Sequence, residues 1–360
     1  MKIVICGLSI TSSWGNGHAT TYRALVRALN ARGHEIVFFE RDLEWYASNR
    51  DMPQPPFCRV HIYERWQDVQ PLLRRELADA DVAMVGSYFP DSAEAITTVL
   101  GSNVAVKTFY DIDTPITVSK LRAGDAEYLT REQLKGFEIY FSFTGGPMLR
   151  ELEEKFGAKR AMPLYCSFDP DRYRMSEPEA RFRCDLSYMG TYAADRQPKL
   201  EKLLCQPASV LPQKTFIVAG PQYPSDIRWP QNVKRIIHLE PMFHPPFYSS
   251  SRFTLNLTRK DMIDAGYSPS VRLFEAAGCG VAIISDTWQG IETFFTPGQE
   301  ILLADSSQSV TTYLTGLSQS ETSAIGLRAQ ERVLAEHSAE KRAIEFENFV
   351  GIKALARECA

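Results

Sequence analysis

Residues 264–286 carry the residue types and spacing that point most directly to chemistry. Ser268 is a suitable N-cap, and Pro269 suits the first position of a short predicted helix. The start of a helix offers unpaired backbone N–H groups and the positive end of the helix dipole, which together suit a phosphate. Arg272 can add a charge-assisted contact to that phosphate, and Glu275, one turn further along, can reach sugar hydroxyls. The segment therefore predicts either a nucleotide-sugar site or an ordinary amphipathic helix with a solvated Arg and Glu.

A second segment of this kind follows another predicted strand of the same half of the chain, and reads Tyr-Met-Gly-Thr-Tyr-Ala-Ala-Asp-Arg over 188–196. Gly190 lets a phosphate approach the backbone, Thr191 supplies a hydroxyl, and Arg196 supplies a planar donor fork. Open doubly wound sheets bind ligands beyond the carboxyl ends of their strands. Two phosphate-type segments after two strands of one half therefore favour the nucleotide interpretation.

The amino-terminal half has a glycine-containing loop after its first strand. The pattern Gly15-x-Gly17-x-x-Thr20, with Glu40 about 20 residues further on as a ribose ligand, is similar to a dinucleotide-binding fingerprint. Thr20 stands where the third glycine belongs, and eight residues separate Cys6 from Gly15. A dehydrogenase is therefore the weaker interpretation of this loop.

The same loop is suited to close approach of a ligand to the backbone over Gly15, Asn16, Gly17 and His18. Near a helix start the dipole keeps an imidazole neutral, so His18 can act as a base. An ordinary polar residue at the start of a helix explains His18 equally well.

Asp111 and Asp113 follow a predicted strand over 104–109. At the end of a strand they can bind acceptor hydroxyls, serve as a general base, or simply cap the next segment. No third carboxylate or histidine stands near them in the sequence, so we do not expect a metal site.

Composition limits the class of protein. A chain of 360 residues predicts two domains, and a net charge of −4 with a pI near 6.0 argues against a broad nucleic-acid interface. Seven cysteines without a CxxC motif are typical of a reducing cytoplasm. The apolar run after Met1 is too short for a signal peptide, and no run is long enough for a membrane span. We expect a cytoplasmic protein, for which a peripheral membrane contact stays open.

Strands alternate with helices throughout both halves, which predicts an α/β fold with doubly wound parallel sheets. The polar, proline-containing segment 167–179 predicts a linker. Strands are predicted at 2–6, 35–39, 82–85, 104–109, 139–143, 186–189, 215–219, 233–239, 253–257, 281–284 and 301–304. Helices are predicted at 18–31, 69–78, 93–100, 147–156, from 198, at 246–251, at 269–277 and over 308–357.

These segments, taken in order, resemble the CgeB-like group of GT-B glycosyltransferases, within the broad "glycosyl transferases group 1" type. The resemblance covers most of the chain and runs through residues 32–40, 110–115, 188–196, 253–259, 271–280 and 337–342. It implies two Rossmann-like domains facing across a cleft. The acceptor domain would span 1–166, the nucleotide-sugar domain would span 175–337, and a final helix over about 338–360 would pack back on the first domain.

The resemblance also implies roles for individual residues. The acid of the Arg-x-x-Glu helix would hold the ribose, which carries over to Glu275, and the Gly-Thr loop would hold the diphosphate. Arg272 would stabilise the leaving group without a metal or other cofactor. The donor would be a UDP-, dTDP- or GDP-linked sugar, and the acceptor a glycan, a lipid or a small molecule. The nucleotide-sugar contacts so expected are Gly190, Thr191, Tyr192, Arg196, His238, Leu239, Ser268, Ser270, Val271, Arg272 and Glu275.

One departure from the family pattern concerns the catalytic base. Many retaining members carry a second acidic residue in a Glu-x7-Glu pattern, but Tyr267 and Ser268 stand there and the nearest acid is Asp264. Either the sugar is held differently, or the enzyme inverts and uses a base from the first domain, for which His18 and Asp113 are the candidates. Two other functions stay open: a non-hydrolysing nucleotide-sugar epimerase, and a non-catalytic nucleotide- or sugar-binding protein.

Overall fold

The computed structural model describes residues 1–14, 17–125 and 127–358, with side chains described up to residue 351. The chain divides into two compact units. The first unit comprises Met1–Ser167 together with the segment that begins at Ala339, and the second comprises Phe168–Ser338.

The first unit is built on a seven-stranded parallel sheet in the order β3-β2-β1-β4-β5-β6-β7. The central strands are short apolar runs that are buried on both faces, as parallel sheets require. The strands are β1 (Lys2–Cys6), β2 (Glu35–Arg41), β3 (Arg59–Tyr63), β4 (Val82–Gly86), β5 (Val106–Asp111), β6 (Ile139–Ser142) and β7 (Ala161–Pro163). The helices are α1 (Gly17–Ala31), α2 (Glu44–Ala47), α3 (Trp66–Leu77), α4 (Ser92–Leu100), α5 (Thr114–Ala123), α6 (Arg131–Gly136) and α7 (Pro147–Glu154).

The second unit has a six-stranded parallel sheet in the order β10-β9-β8-β11-β12-β13. Its strands are β8 (Cys184–Met189), β9 (Phe216–Ala219), β10 (Val233–Ile236), β11 (Ser251–Asn256), β12 (Ala282–Ser285) and β13 (Leu302–Leu303). Its helices are α8 (Gln197–Leu200), α9 (Gln206–Val210), α10 (His244–Ser249), α11 (Lys260–Ala265), α12 (Val271–Gly278), α13 (Ser307–Gly316) and α14 (Gln319–Glu336), with a π-helical turn, Glu201–Cys205, joining α8 to α9.

The final helix, α15 (Ala339–Glu358), packs against α1 of the first unit. Ala343, Phe346 and Val350 are buried in the core of that unit. Glu347 accepts hydrogen bonds from Arg32 at 2.7 and 2.8 Å and lies 2.7 Å from Nε2 of His34. Burial of apolar side chains and these ion pairs together fasten α15 to the first unit.

Both sheets confirm the predicted pair of doubly wound α/β folds. In each sheet the strand order reverses between two central strands, β1 and β4 in the first and β8 and β11 in the second. Adjacent connections leave in opposite directions at such a point and open a crevice at the carboxyl ends of the strands, which is where these folds bind ligands.

The structure corrects several predicted elements. The helix predicted from Pro269 begins at Val271, and its N-cap is Ser270 rather than Ser268. Residues 308–357 are helical as predicted and divide into three helices, α13, α14 and α15. The strands β3 and β7 were not predicted, because β3 is an exposed edge strand without an apolar run and β7 ends in a proline.

Candidate functional site

The second unit gathers most of the predicted phosphate-binding residues where β8 and β11 end. Gly190 follows β8, Asn256 is the last residue of β11, and α12 begins at Val271. Because β8 and β11 are paired neighbours, their carboxyl ends present these residues at one place on the sheet edge.

Arg272 is fixed against the turn that follows β8. Its Nε donates to the carbonyl oxygen of Met189 at 2.5 Å, and its Nη1 donates to Oδ1 of Asn256 at 3.3 Å. The guanidinium carbon lies 5.3 Å from the ring centroid of Tyr188. A Cβ at Gly190 would come within 2.7 Å of the Tyr188 hydroxyl and 2.9 Å of Nη2 of Arg272. Glycine is therefore required at 190 for the guanidinium to lie against the backbone.

The start of α12 is left open by its own N-cap residue. The Ser270 hydroxyl forms no capping hydrogen bond and instead donates to Oδ1 of Asn256 at 2.9 Å. The first N–H groups of the helix, beginning at Val271, are thus not satisfied by that side chain. Ser268 is buried two residues earlier and lies outside the helix.

Arg196 supplies a second guanidinium, which has an N–H donor without a hydrogen-bond partner. Its Nη2 donates to the carbonyl oxygen of Thr191 at 2.7 Å, whereas its buried Nε has no hydrogen-bond partner. Burial lowers the pKa of Arg196, and the positive charges of Arg272 and Arg259 lower it further. Within the described ranges, no carboxylate forms an ion pair with any of these three arginines. Uncompensated positive charge around an open helix start is the arrangement that binds a phosphate.

Glu275 lies one turn after Arg272 on α12 and is only 6% exposed. Burial raises its pKa, while a hydrogen bond from Tyr173 and the charges of Arg172 and Arg272 act in the opposite direction. A buried carboxylate with few fixed partners can accept hydrogen bonds from ligand hydroxyls.

An aromatic cluster that no sequence motif indicates supports the Gly190 turn. The Tyr223 hydroxyl donates to the carbonyl oxygen of Gly190 at 3.1 Å. The guanidinium of Arg235 lies 4.0 Å from the Tyr223 ring and 4.6 Å from the Trp229 ring, and it donates to the carbonyls of Val218 and Gly220. The predicted contact residue Tyr192 packs edge-on against Tyr223, with ring centroids 5.6 Å apart.

His238 and Leu239, predicted near the base, follow β10 at the same edge of the sheet, two strands from β8. His238 is exposed, and Leu239 is buried. The carbonyl oxygen of Leu239 lies 3.3 Å from Nε2 of His244, whose pKa burial lowers to about 4. A neutral His244 therefore holds this segment in place.

In the first unit the structure brings together the two candidate bases. His18 lies in the first turn of α1 and Asp113 is the N-cap residue of α5, which follows β5. Nε2 of His18 and Oδ2 of Asp113 are 2.8 Å apart. The imidazole also packs edge-on against Tyr88, with ring centroids 5.9 Å apart. Gly17 is the first residue of α1, whereas Gly15 and Asn16 lie outside the described residues.

Asp111 is fully buried and does not face a ligand. It accepts hydrogen bonds from the Tyr140 hydroxyl, from the Thr117 hydroxyl at 2.9 Å and from the backbone N–H of Asp113 at 3.1 Å. Burial raises its pKa to about 6. Asp111 therefore positions Asp113 rather than binding an acceptor. No group of three or more His, Cys, Asp and Glu side chains in the described part of the chain could hold a metal ion.

Glu40 is not available to a ribose. Its buried carboxylate accepts hydrogen bonds from the backbone N–H groups of Ile10 at 2.6 Å and Thr11 at 3.0 Å, and from the hydroxyls of Ser9 and Thr11. Glu40 thus fastens the loop after β1 in place. This use of the carboxylate argues against the dehydrogenase interpretation.

Residues 196–348 match the family model described as glycosyl transferase-like. The match is to the broad family and does not single out the CgeB-like group. A search of curated proteins found no match. Among the residues that the structure describes, no helix is both long and apolar enough to cross a membrane.

Solved structures similar to this one include several glycosyltransferases. Sucrose-phosphate synthase from Thermosynechococcus elongatus aligns with a TM-score of 0.69 at 12% identity, covering 99% of this chain and 100% of that chain. HepE from Anabaena, in complex with UDP-glucose, aligns with a TM-score of 0.67 at 12% identity over 98% and 99% of the two chains. An alpha-glucosyltransferase in complex with UDP-glucose and DNA containing an abasic site aligns with a TM-score of 0.71 at 11% identity, again over 98% and 99%. At these identities the likeness establishes the fold.

Proposed function

From the premise that this chain is a glycosyltransferase of the GT-B fold, we propose that it transfers a sugar from a uridine diphosphate sugar to an acceptor hydroxyl. UDP or UDP-glucose is present in several of the similar structures, which supports uridine as the base. The donor would bind at the carboxyl edge of the second sheet, around Gly190 and α12.

The single observation that carries this proposal is the uncompensated positive charge at that edge. Arg196 and Arg272 flank the Gly190 turn and have no carboxylate partner in the described part of the chain, and Ser270 leaves the start of α12 open. A diphosphate leaving group gains negative charge as the glycosidic bond breaks, and preorganised donors stabilise that charge. Two guanidinium groups and a helix dipole supply the positive charge that a divalent cation supplies elsewhere, so we expect metal-independent transfer.

The ribose and the base of the nucleotide would also bind at the carboxyl edge of the second sheet. Glu275 lies one turn beyond Arg272 and would accept hydrogen bonds from the ribose hydroxyls. The segment around His238 and Leu239 follows β10 at the same edge, two strands away, and would contact the base.

His18 is the proposed base for the acceptor hydroxyl. A carboxylate at Asp113 accepts a hydrogen bond from His18, so Nε2 carries the ring proton and Nδ1 is the ring nitrogen that can accept one. Nδ1 takes the acceptor proton while the acceptor oxygen bonds to the anomeric carbon and the diphosphate leaves with the bonding electron pair. Attack opposite the leaving group inverts the anomeric configuration, which product NMR would report.

The experiment that tests the donor site is thermal stabilisation by UDP, dTDP, GDP, CDP and ADP, with NAD and NADP as controls. A ligand at 100 times its dissociation constant adds about 2.7 kcal/mol to the free energy of unfolding. We expect a selective shift with UDP that is strongly reduced in Arg196→Gln. Arg328→Gln is the matched control, because Arg328 also donates to a backbone carbonyl of the second unit, that of Gln299 at 2.8 Å. A shift with NAD or NADP alone, or no shift at all, would contradict the proposal.

A further inference from the structure

Two tryptophans of the first unit are exposed in segments that follow the carboxyl ends of its strands, as His18 and Asp113 do. Trp14 is 55% exposed and follows β1, and Trp45 is 54% exposed on α2, which follows β2. Exposed tryptophan leaves a large apolar ring in water, and two of them beside one candidate site indicate a surface that binds something.

The two tryptophans are carried by segments that are hydrogen-bonded to each other. The Ser12 hydroxyl donates to the carbonyl oxygen of Asn49 at 2.8 Å, and the Asn49 amide donates to the carbonyl oxygen of Trp45 at 2.9 Å. Asp51 accepts from Ser13 and forms a bidentate pair with Arg23 at 2.8 Å. The rings are therefore presented on anchored backbone, which lowers the entropic cost of binding.

The strand order places the segments that carry these rings in sequence with the candidate base. Trp45 follows β2, Trp14 follows β1, Tyr88 follows β4 and Asp113 follows β5, and these strands are consecutive in the sheet. We call Trp45, Trp14 and Tyr88 the aromatic row. The three strands that precede the row, β2, β1 and β4, span two strand spacings of about 4.8 Å, or about 10 Å, and a third spacing reaches β5, which precedes Asp113. An acceptor that uses the whole row is thus extended rather than a single small molecule.

The charges along the row are paired and favour an uncharged ligand. Arg41 pairs with Asp91 at 3.0 Å, and Arg50 pairs with Asp42 at 2.6 Å. The exposed Glu44 beside Trp45 adds negative charge. An anionic membrane surface or a nucleic acid is bound through unpaired lysines and arginines, which this row lacks in its described residues.

We propose that the acceptor is an uncharged oligosaccharide whose sugar rings stack on Trp14 and Trp45, beyond the unit that reaches His18. This inference rests on the proposed role of His18. The apolar C–H face of a sugar ring packs on an aromatic face, and successive rings of a glycan repeat along a line as the row does.

The test is calorimetric titration of the full chain, with and without UDP, by uncharged gluco-, manno-, xylo- and chito-oligosaccharides of increasing length. We expect affinity in one series to rise with length through at least three units. Trp14→Ala and Trp45→Ala should each lower the affinity for the long members about tenfold and leave monosaccharide binding unchanged. Ile62→Ala, an exposed apolar side chain on β3 of the same unit, is the control and should change nothing.

The outcomes separate this inference from the proposed function. UDP stabilisation and donor hydrolysis test the donor site and should be unaffected by both tryptophan variants. A normal UDP response with no length-dependent binding in any series, or with binding unchanged in both variants, overturns the oligosaccharide acceptor. Cosedimentation with phosphatidylcholine–phosphatidylglycerol vesicles that is lost in both variants would instead identify a membrane contact, and also overturns it.

Discussion

The Ser270 hydroxyl donates to Oδ1 of Asn256 at 2.9 Å, although Ser270 stands at the N-cap of α12. An N-cap serine ordinarily accepts a hydrogen bond from the first turn of its helix. Oδ1 of Asn256 also accepts a hydrogen bond from Nη1 of Arg272. The same side chain therefore holds the Ser270 hydroxyl away from the first turn of α12 and keeps the Arg272 guanidinium close to the end of β8. Asn256 therefore keeps the start of α12 open for an anion.

The first prediction concerns Asn256. In Asn256→Ala the Ser270 hydroxyl is free to cap α12 and Arg272 loses a partner, so we expect affinity for UDP to fall about tenfold, while the weak affinity for uridine is unchanged. Titration calorimetry with both ligands measures this. Ser270→Ala is the control and should stay within about threefold of the parent, since the hydroxyl does not cap the helix. Equal losses for UDP and uridine would contradict the role assigned to Asn256.

The second prediction concerns Glu275. Its ionised form accepts hydrogen bonds from hydroxyls, and burial raises its pKa above the ordinary value of 4.5. Affinity for UDP should therefore rise as the pH rises through that raised pKa. In Glu275→Gln we expect the affinity to fall about 10- to 100-fold at neutral pH and its pH dependence across this range to disappear.

The stability of Glu275→Gln provides the control. Because the folded-state pKa is raised, the contribution of Glu275 to the free energy of unfolding decreases as the pH rises above its ordinary pKa, and the glutamine variant should be at least as stable as the parent at neutral pH. Thermal unfolding without ligand measures this. Loss of stability together with affinity would assign Glu275 to the fold rather than to the ribose.

Most central strands could be predicted from the sequence because buried parallel strands are short apolar runs. β1 was predicted with its observed bounds. Edge strands such as β3 escape this rule, since one side of the strand meets solvent and its residues are mixed.

The residues that support the site were harder to predict than the residues that face it. Gly190, Arg272 and Glu275 stand in segments whose types and spacing suggest a phosphate and a sugar. Tyr173 falls in the segment predicted to be a linker, and its hydrogen bond with Glu275 depends on tertiary packing. Asn256 could have been found, because it is a polar residue at the carboxyl end of a central strand.

The pairing of His18 with Asp113 illustrates what topology adds. The two residues are 95 positions apart, so no local motif contains them both. Each follows a strand near the reversal of strand order, β1 for His18 and β5 for Asp113, and only β4 lies between those two strands in the sheet. The sequence indicates each residue separately as a candidate base, whereas the fold brings them into contact, so that Asp113 is the hydrogen-bond partner of His18.

The third prediction concerns this pair. His18→Ala should lower kcat for transfer about 100- to 10,000-fold, as expected for loss of a general base, while UDP affinity is unchanged. Asp113→Asn should lower kcat as well, because an amide no longer fixes the Nε2–H tautomer. The double variant should be little worse than His18→Ala, since the two residues act as a unit. Near-normal transfer by both single variants, or fully additive effects, would refute the assignment.

The fourth prediction concerns Asp111 and the stability of the first unit. Burial raises the folded-state pKa of Asp111 from 3.8 to about 6. Between these values the folded protein holds a proton that the unfolded chain has released, so this residue's contribution to the free energy of unfolding decreases as the pH rises. The loss is on the order of 3 kcal/mol and is complete above about pH 6.

Asp111→Asn removes this titration while its amide oxygen can still accept from Thr117 and the Asp113 N–H, and its amide nitrogen can donate to the Tyr140 hydroxyl. Urea unfolding between pH 4 and pH 7 should therefore show the parent losing stability relative to the variant as the pH rises, with the difference levelling off above about pH 6. Comparing parent and variant at each pH cancels the contributions of other titrating groups. A difference that is independent of pH, or one that favours the parent increasingly at higher pH, would show that Asp111 is ionised in the folded protein across this range.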